Sequence, residues 1–161
     1  MILTIDKDSL QRSIMIADSI ISSKNVNTVL SNCLFNITRD SLEIVSTDNE
    51  IGIRTRLDAV ADGDMSLTAN GKRFASILKE LPKGEVVVDV SNTYQVNIKT
   101  RAKDIKARYT LVGTSRDEYP AVPFFVEENA VEISQSVLKD MLRKVLHAAA
   151  IDTIKPVFNG V

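Results

Sequence analysis

The chain has no tryptophan and a single cysteine, Cys33, among its 161 residues. One thiol excludes an internal disulfide and a cysteine-ligated zinc site. Next to Leu34 and Phe35, it reads as a small buried hydrophobe. The one histidine, His147, has no partner at metal-ligand spacing and reads as a surface side chain. Aromatic residues make up 5% of the chain, too few for a base-stacking platform. Gly63, Gly71 and Gly84 are isolated, so there is no glycine loop to cradle a phosphate. No apolar run approaches the roughly 18 residues that a membrane span needs. Asp6, Lys7 and Asp8 interrupt the N-terminus too early for a signal peptide, so the expected location is cytoplasmic. The net charge of −1 excludes a bulk polycation. Any contact with nucleic acid must come from a local basic face.

What is present is a repeat. Residues 129–161 follow the pattern of residues 1–33 at a constant offset of 128. Ile5 pairs with Ile133, Leu10 with Leu138, Ile14 with Leu142 and Ala17 with Val145. Val29, Leu30 and Cys33 pair with Val157, Phe158 and Val161. Apolar pairs held in one register mark one structural unit occurring twice. The expected organisation is a first domain over residues 1–123. Residues 124–161 then hold a linker and the truncated start of a second domain.

Hydrophobic periodicity supplies the elements. Leu3 and Ile5 alternate as a short strand, and Asp6 or Asp8 is placed to cap a helix. Leu10, Ile14, Ala17 and Ile21 share one face of that helix. Residues 29–57 read as strands with a turn at Thr47-Asp48-Asn49. Phe74, Ile77, Leu78 and Leu81 form a second helical stripe, ended by Pro82 and Gly84. Val86, Val88 and Val90, then Tyr94, Val96 and Ile98, form a hairpin, and residues 107–112 a further strand. Pro120 and Pro123 bracket the best linker candidate. In the second unit, Val137, Leu138, Met141, Leu142, Val145 and Ala149 should face inward. Without strict strand–helix alternation, the expected class is α+β with antiparallel sheets and two amphipathic helices per repeat.

The helices carry the only suggestive charge pattern. Lys72, Ser76, Lys79 and Lys83 recur at helical spacing opposite the apolar stripe, with Arg73 beside them. Lys139, Arg143 and His147 do the same in the second unit, with Lys144 alongside and Asp140 partly offsetting them. A solvated face explains either set alone; two such helices point to a shared anionic surface that meets phosphates without reading sequence. Asp48 and Glu50 are the only hint of a metal pair. They lack a third ligand, and a turn in which Thr47 and Asp48 bond local amides fits them better. A metal-dependent nuclease is therefore disfavoured, and no enzyme is expected. The alternative reading is a β-rich protein-binding module without a DNA role, its basic strand around Lys99–Arg108 meeting acidic partners.

Several segments carry a resemblance across the whole chain: the N-terminal strand and helix, Ser46-Thr47-Asp48-Asn49-Glu50, the Leu81-Pro82 helix end, Asp117-Glu118-Tyr119-Pro120-Ala121-Val122-Pro123, and Lys155-Pro156-Val157-Phe158-Asn159-Gly160-Val161. In this order they resemble the bacterial DNA polymerase III beta subunit, the sliding-clamp family of processivity factors. The resemblance implies the DNA-clamp fold: sheets form the outer wall of a six-domain ring, and helices line a hole around duplex DNA. It implies a head-to-tail homodimer of three-domain subunits that catalyses nothing, needs no cofactor or metal and meets no membrane. Its partners would be double-stranded DNA, DNA polymerase III and other polymerases, and a clamp loader.

By position, the resemblance assigns DNA contacts to Lys24, Lys72, Arg73 and Lys79. It assigns the dimer interface to Phe74, Ile77, Lys106, Arg108 and Tyr109, and the beginning of a partner-peptide pocket to Lys155 and Phe158. Two departures stand out. Ala69-Asn70-Gly71 replaces a segment that often contains proline in the family, and Asp152 puts an acid where the second unit would carry a DNA contact.

Overall fold

The computed structural model describes residues 1–21, 28–101, 107–123, 131–151 and 155–161. The chain divides into two compact units, Met1–Phe124 and Phe125–Val161.

Among the described residues, the first unit holds ten strands and two α-helices. Strand β1 (Ile2–Asp6) leads into α1 (Lys7–Asp18), followed by β2 (Asn32–Ile37), β3 (Ser41–Thr47), β4 (Gly52–Asp58), β5 (Val60–Ala61) and β6 (Met65–Asn70). Helix α2 (Gly71–Glu80) follows, then β7 (Glu85–Val90), β8 (Gln95–Thr100), β9 (Arg108–Val112) and β10 (Thr114–Ser115). Two five-stranded sheets result, ordered β5-β1-β7-β8-β9 and β10-β6-β2-β3-β4. Every recorded pairing is antiparallel. This is the α+β class that periodicity predicts.

The helices form where the expected signals lie. Asp6 caps α1, its carboxylate accepting the Ser9 amide at 2.8 Å. Leu10, Ile14 and Ala17 are fully buried, each large side chain contributing about 1.5–3 kcal/mol by leaving water. Ile21 lies past the end of α1 yet still packs against the core. Asn70 caps α2 by accepting the Arg73 amide at 2.9 Å. Leu81 leaves α2 in an extended conformation, and Gly84 takes a φ of +123° that favours glycine. The Gly84 carbonyl accepts the Lys7 amide at 2.9 Å, tying the end of one helix region to the start of the other.

One core joins both sheets and both helices. It runs from Leu3 and Ile5 through Phe35, Ile44 and Leu67 to Val86 and Ile98. A buried hydrogen bond from the Ser46 hydroxyl to the Ala17 carbonyl, 2.7 Å long, fastens α1 to β3.

A smaller apolar cluster lies on the other face of the second sheet. Leu34 and Val45 alternate with core residues along β2 and β3, so they point away from the helices. Tyr119 is buried against them, with Val29 and Val122 packed alongside. The Tyr119 hydroxyl accepts the Thr47 amide at 3.1 Å. A Cβ on Gly52 would lie 2.5 Å from Val122 Cγ1, so any larger residue there would displace Val122. The proline-bracketed stretch is thus strapped onto the first unit by Tyr119 and Val122 before it leaves. Val29 and Leu30 sit in a 3₁₀ turn, Thr28–Ser31, ahead of the strand that periodicity extends back to them.

The second unit repeats the first α-helix and the first 3₁₀ turn of the first, but not its opening strand: residues 131–134 form none. Helix α3 covers Gln135–Val145, and a 3₁₀ turn covers Pro156–Asn159. Shifted back by 128 residues, these fall on α1 and on the turn Thr28–Ser31. The expectation that Val137, Leu138, Met141, Leu142 and Val145 face inward is not met, since all five are exposed. The reason is physical: among the described residues, the second unit has no strand against which this face can pack.

Leu10→Ala should therefore lower the unfolding free energy by about 2–5 kcal/mol. Leu138→Ala, the same change at the matching repeat position, should stay within about 0.5 kcal/mol. Urea denaturation of both variants tests the contrast.

Candidate nucleic-acid interface

Because Phe74, Ala75 and Leu78 are drawn into the core, the opposite side of α2 must face water. That side carries Lys72, Arg73 and Lys79, with Glu80 the only acid on the helix; Lys83, expected at the same helical spacing, lies beyond the end of α2 because the chain is already extended at Leu81, and all four cations are exposed. None of these four cations makes an ion pair or a side-chain hydrogen bond among the described residues. Ser76 turns its hydroxyl back to the Lys72 carbonyl at 2.9 Å. Lys72 and Arg73 occupy the first turn of α2, where the helix dipole disfavours a cation by about 0.3–1 kcal/mol. Capping by Asn70 offsets part of this.

The two helices meet at the N-terminus of α2. A Cβ on Gly71 would sit 2.7 Å from Cys33 Sγ and 3.1 Å from Ile21 Cδ1, with Asp18 Oδ1 at 3.7 Å. That crowding accounts for glycine in Ala69-Asn70-Gly71 and for how closely α2 starts beside the end of α1. The outward side of α1 presents Arg12 together with Met15 and Ile16, both 48% exposed. Arg12 was missed in the sequence reading. Its signal is its place opposite Leu10 and Ile14 on the helical wheel.

Lys24 lies outside the described residues. In the second unit, Lys139, Arg143, Lys144 and His147 are exposed along α3 and the 3₁₀ turn that follows it, with Asp140 among them. Asp152 also lies outside the described residues.

The expected dimer-interface residues divide. Among the described residues, strand β9 is an edge of its sheet, bonded to β8 alone, and an unpaired edge is a ready pairing surface. Arg108 and Tyr109 sit on it; Arg108 Nη2 donates to Asn97 Oδ1 at 3.3 Å, and Tyr109 packs partly against the core. Ile77 is partly buried beside that core. Phe74 is 3% exposed and stacks on Phe35 with ring centroids 5.3 Å apart. It therefore has almost no surface to offer a partner, because its spacing on α2 places it inside. Lys106 lies outside the described residues. Lys155 and Phe158 share one turn, the Phe158 amide donating to the Lys155 carbonyl at 3.1 Å, and Phe158 is 57% exposed.

Asp48 is part of a turn. Its Oδ1 accepts the Ile51 amide at 2.8 Å and the Glu50 amide at 3.0 Å, while the Thr47 hydroxyl donates to the Ile51 carbonyl at 2.8 Å. The amides of Ile51 and Glu50 hold its carboxyl below the usual range. Asn49 takes the positive φ, 78°, that this reversal needs. Among the described residues, no three acidic, cysteine or histidine side chains cluster as metal ligands. Cys33 is buried, which pushes its thiol up to about 12.

A family model described as the DNA polymerase III beta subunit, N-terminal domain, matches residues 1–123. The chain belongs to that family. The beta sliding clamp of Bacillus subtilis is 27% identical over 98% of the chain, and that of Halalkalibacterium halodurans is 25% identical over 98%. The aligned regions span 43% and 42% of those proteins, so the chain covers less than half the length of these relatives. Among solved structures, the sliding clamp of B. subtilis superposes with a TM-score of 0.88 at 25% identity, covering 98% of this chain and 42% of that one. The Helicobacter pylori beta clamp bound to a DNA ligase peptide superposes at 0.84 with 19% identity, covering 96% and 42%, a likeness of fold alone. The beta-subunit family thus accounts for two antiparallel sheets with a helix pair in one domain. No described helix is long and apolar enough to cross a membrane.

Asp6 and Asp48 both titrate below the ordinary carboxyl value, through the Ser9 amide and the Ile51 amide respectively. A depressed folded value means that their stabilisation is present above the unfolded value and is lost as pH falls through the folded one, below about pH 4. Asp48→Asn keeps an acceptor oxygen without the titration. It should lower the urea midpoint at pH 7, where the charged carboxylate contributes, and flatten its fall as the pH drops below about 4.

Proposed function

We propose that this chain supplies the first domain, residues 1–123, and the opening of the second domain, residues 124–161, of a DNA sliding clamp. The carrying observation is the repeat itself: α1 and α3 recur at one offset of 128 residues. The outward sides of α2 and α3 are basic on a protein whose net charge is −1. A ring that slides needs weak, non-specific phosphate contacts, because the closed topology, not affinity, keeps it on DNA. A few exposed cations without internal partners meet that requirement better than a strongly basic groove.

Lys24, Lys72, Arg73 and Lys79 are the proposed DNA contacts, with Arg12 added from the outward side of α1. The free edge β9, through Arg108 and Tyr109 with Lys106 before it and Ile77 beside it, is the proposed dimer surface. Phe74 supports that edge from inside. Lys155 and Phe158 begin the proposed pocket for partner peptides from DNA polymerase III, other polymerases and the clamp loader. The protein acts as a scaffold in the cytoplasm, where replicating bacterial DNA lies, and not as an enzyme.

Replacing Lys72, Arg73 and Lys79 with alanine in the full-length protein should weaken retention on circular duplex DNA. It should also lower the salt slope of binding by about 3, one per phosphate contact. An unchanged slope discards these assignments. Tyr109→Asp, which sets a charge on the β9 edge, should shift the full-length protein from dimer to monomer by mass measurement; an unshifted dimer removes β9 from the interface.

A further inference from the structure

A groove crosses the face of the β10-β6-β2-β3-β4 sheet that points away from the helices. Its larger hollow, about 470 Å³, lies between Asn36, Glu43 and Arg54 on the strands and the strap from Arg116 to Val122. A smaller hollow of about 150 Å³ carries Arg56 and Ser41 and shares Asn36 and Glu43 with the first. Together they reach the size range of small-ligand pockets.

The acids of this groove are already engaged. Asn36 Nδ2 donates to Glu43 Oε1 at 2.9 Å, and Arg54 Nε lies 3.8 Å from Glu43 Oε2. Asp117 accepts the Ser115 hydroxyl at 3.0 Å, inside its own turn. Arg56 and Arg116, by contrast, make no ion pair and no side-chain hydrogen bond among the described residues. Arg54 and Arg56 stand two residues apart on β4, on the same face, at about 6–7 Å. That is the repeat between alternate side chains of an extended peptide. A guanidinium fork matches a carboxylate through two parallel hydrogen bonds. The strap adds Pro120 and Val122, partly buried and apolar, as a wall for the residues in between.

We propose that this groove binds an extended peptide in which acidic residues alternate with apolar ones, the acids engaging Arg116 and Arg56. The site lies across the sheet from the basic helices, so it does not depend on the DNA surface.

The test uses fluorescein-labelled octapeptides in which valine alternates with glutamate, glutamine or lysine, titrated at low salt and followed by anisotropy. The glutamate peptide should bind the chain about tenfold more tightly than the glutamine peptide, the scale of one charge-assisted hydrogen bond. Arg116→Glu and Arg56→Glu should each remove most of that preference, while Arg101→Glu, on the other sheet, should keep it. Urea midpoints confirm that each variant is folded. Equal binding of the glutamate and glutamine peptides, no binding by any of the three, or an equal loss in Arg101→Glu would overturn the proposal.

Discussion

Everything on the outside of the first unit follows from how α1 and α2 are held on the inside. Leu10, Ile14 and Ala17 on one helix, and Phe74, Ala75 and Leu78 on the other, sink into a single core shared by both sheets. A helix pinned along one stripe cannot rotate without exposing that stripe, at about 25 cal/mol for each Å² of apolar surface. The charged side of α2 is therefore fixed in direction by apolar burial, not by any contact of its own. This is how a protein with no excess of positive charge presents a basic face.

The close approaches sharpen the same constraint. Gly71 lets α2 begin against Cys33 and Ile21, and the Ser46–Ala17 hydrogen bond holds α1 to β3. On the opposite face, Tyr119 and Val122 strap the end of the unit to β3 and β4, with Gly52 leaving room for Val122. That strap walls the groove on the sheet. The helix side and the sheet side are thereby separate surfaces with different chemistry: exposed cations on one, arginines interleaved with engaged carboxylates on the other.

Much of this was readable from the sequence. The α1 stripe, an aspartate cap at Asp6 or Asp8, the Pro82–Gly84 stop and the β7–β8 hairpin announce themselves because their signals are local, within one or two turns of chain. The repeat was legible for a related reason: α3 and the turn at Pro156–Asn159 depend on nearby residues, so equal patterns fold alike at both positions. The site was less legible. Periodicity puts Phe74 in the apolar stripe of α2 while the family resemblance puts it at the dimer interface, and its packing against Phe35 decides for the core. The inward placement expected of Leu138 and its neighbours fails for the converse reason: periodicity identifies an apolar face but does not supply the surface that covers it.

The sequence by itself determined the element types, the doubled unit and the absence of cysteine- or glycine-loop chemistry, because each is a property of short stretches of chain. Tertiary structure alone decided which strand edges stay open, that residues 119–122 lie down on the second sheet, and that Arg56 and Arg116 border one groove. These depend on strand order and on contacts between residues far apart in the chain. Local periodicity says which face of a strand is apolar, but not which strand lies beside it.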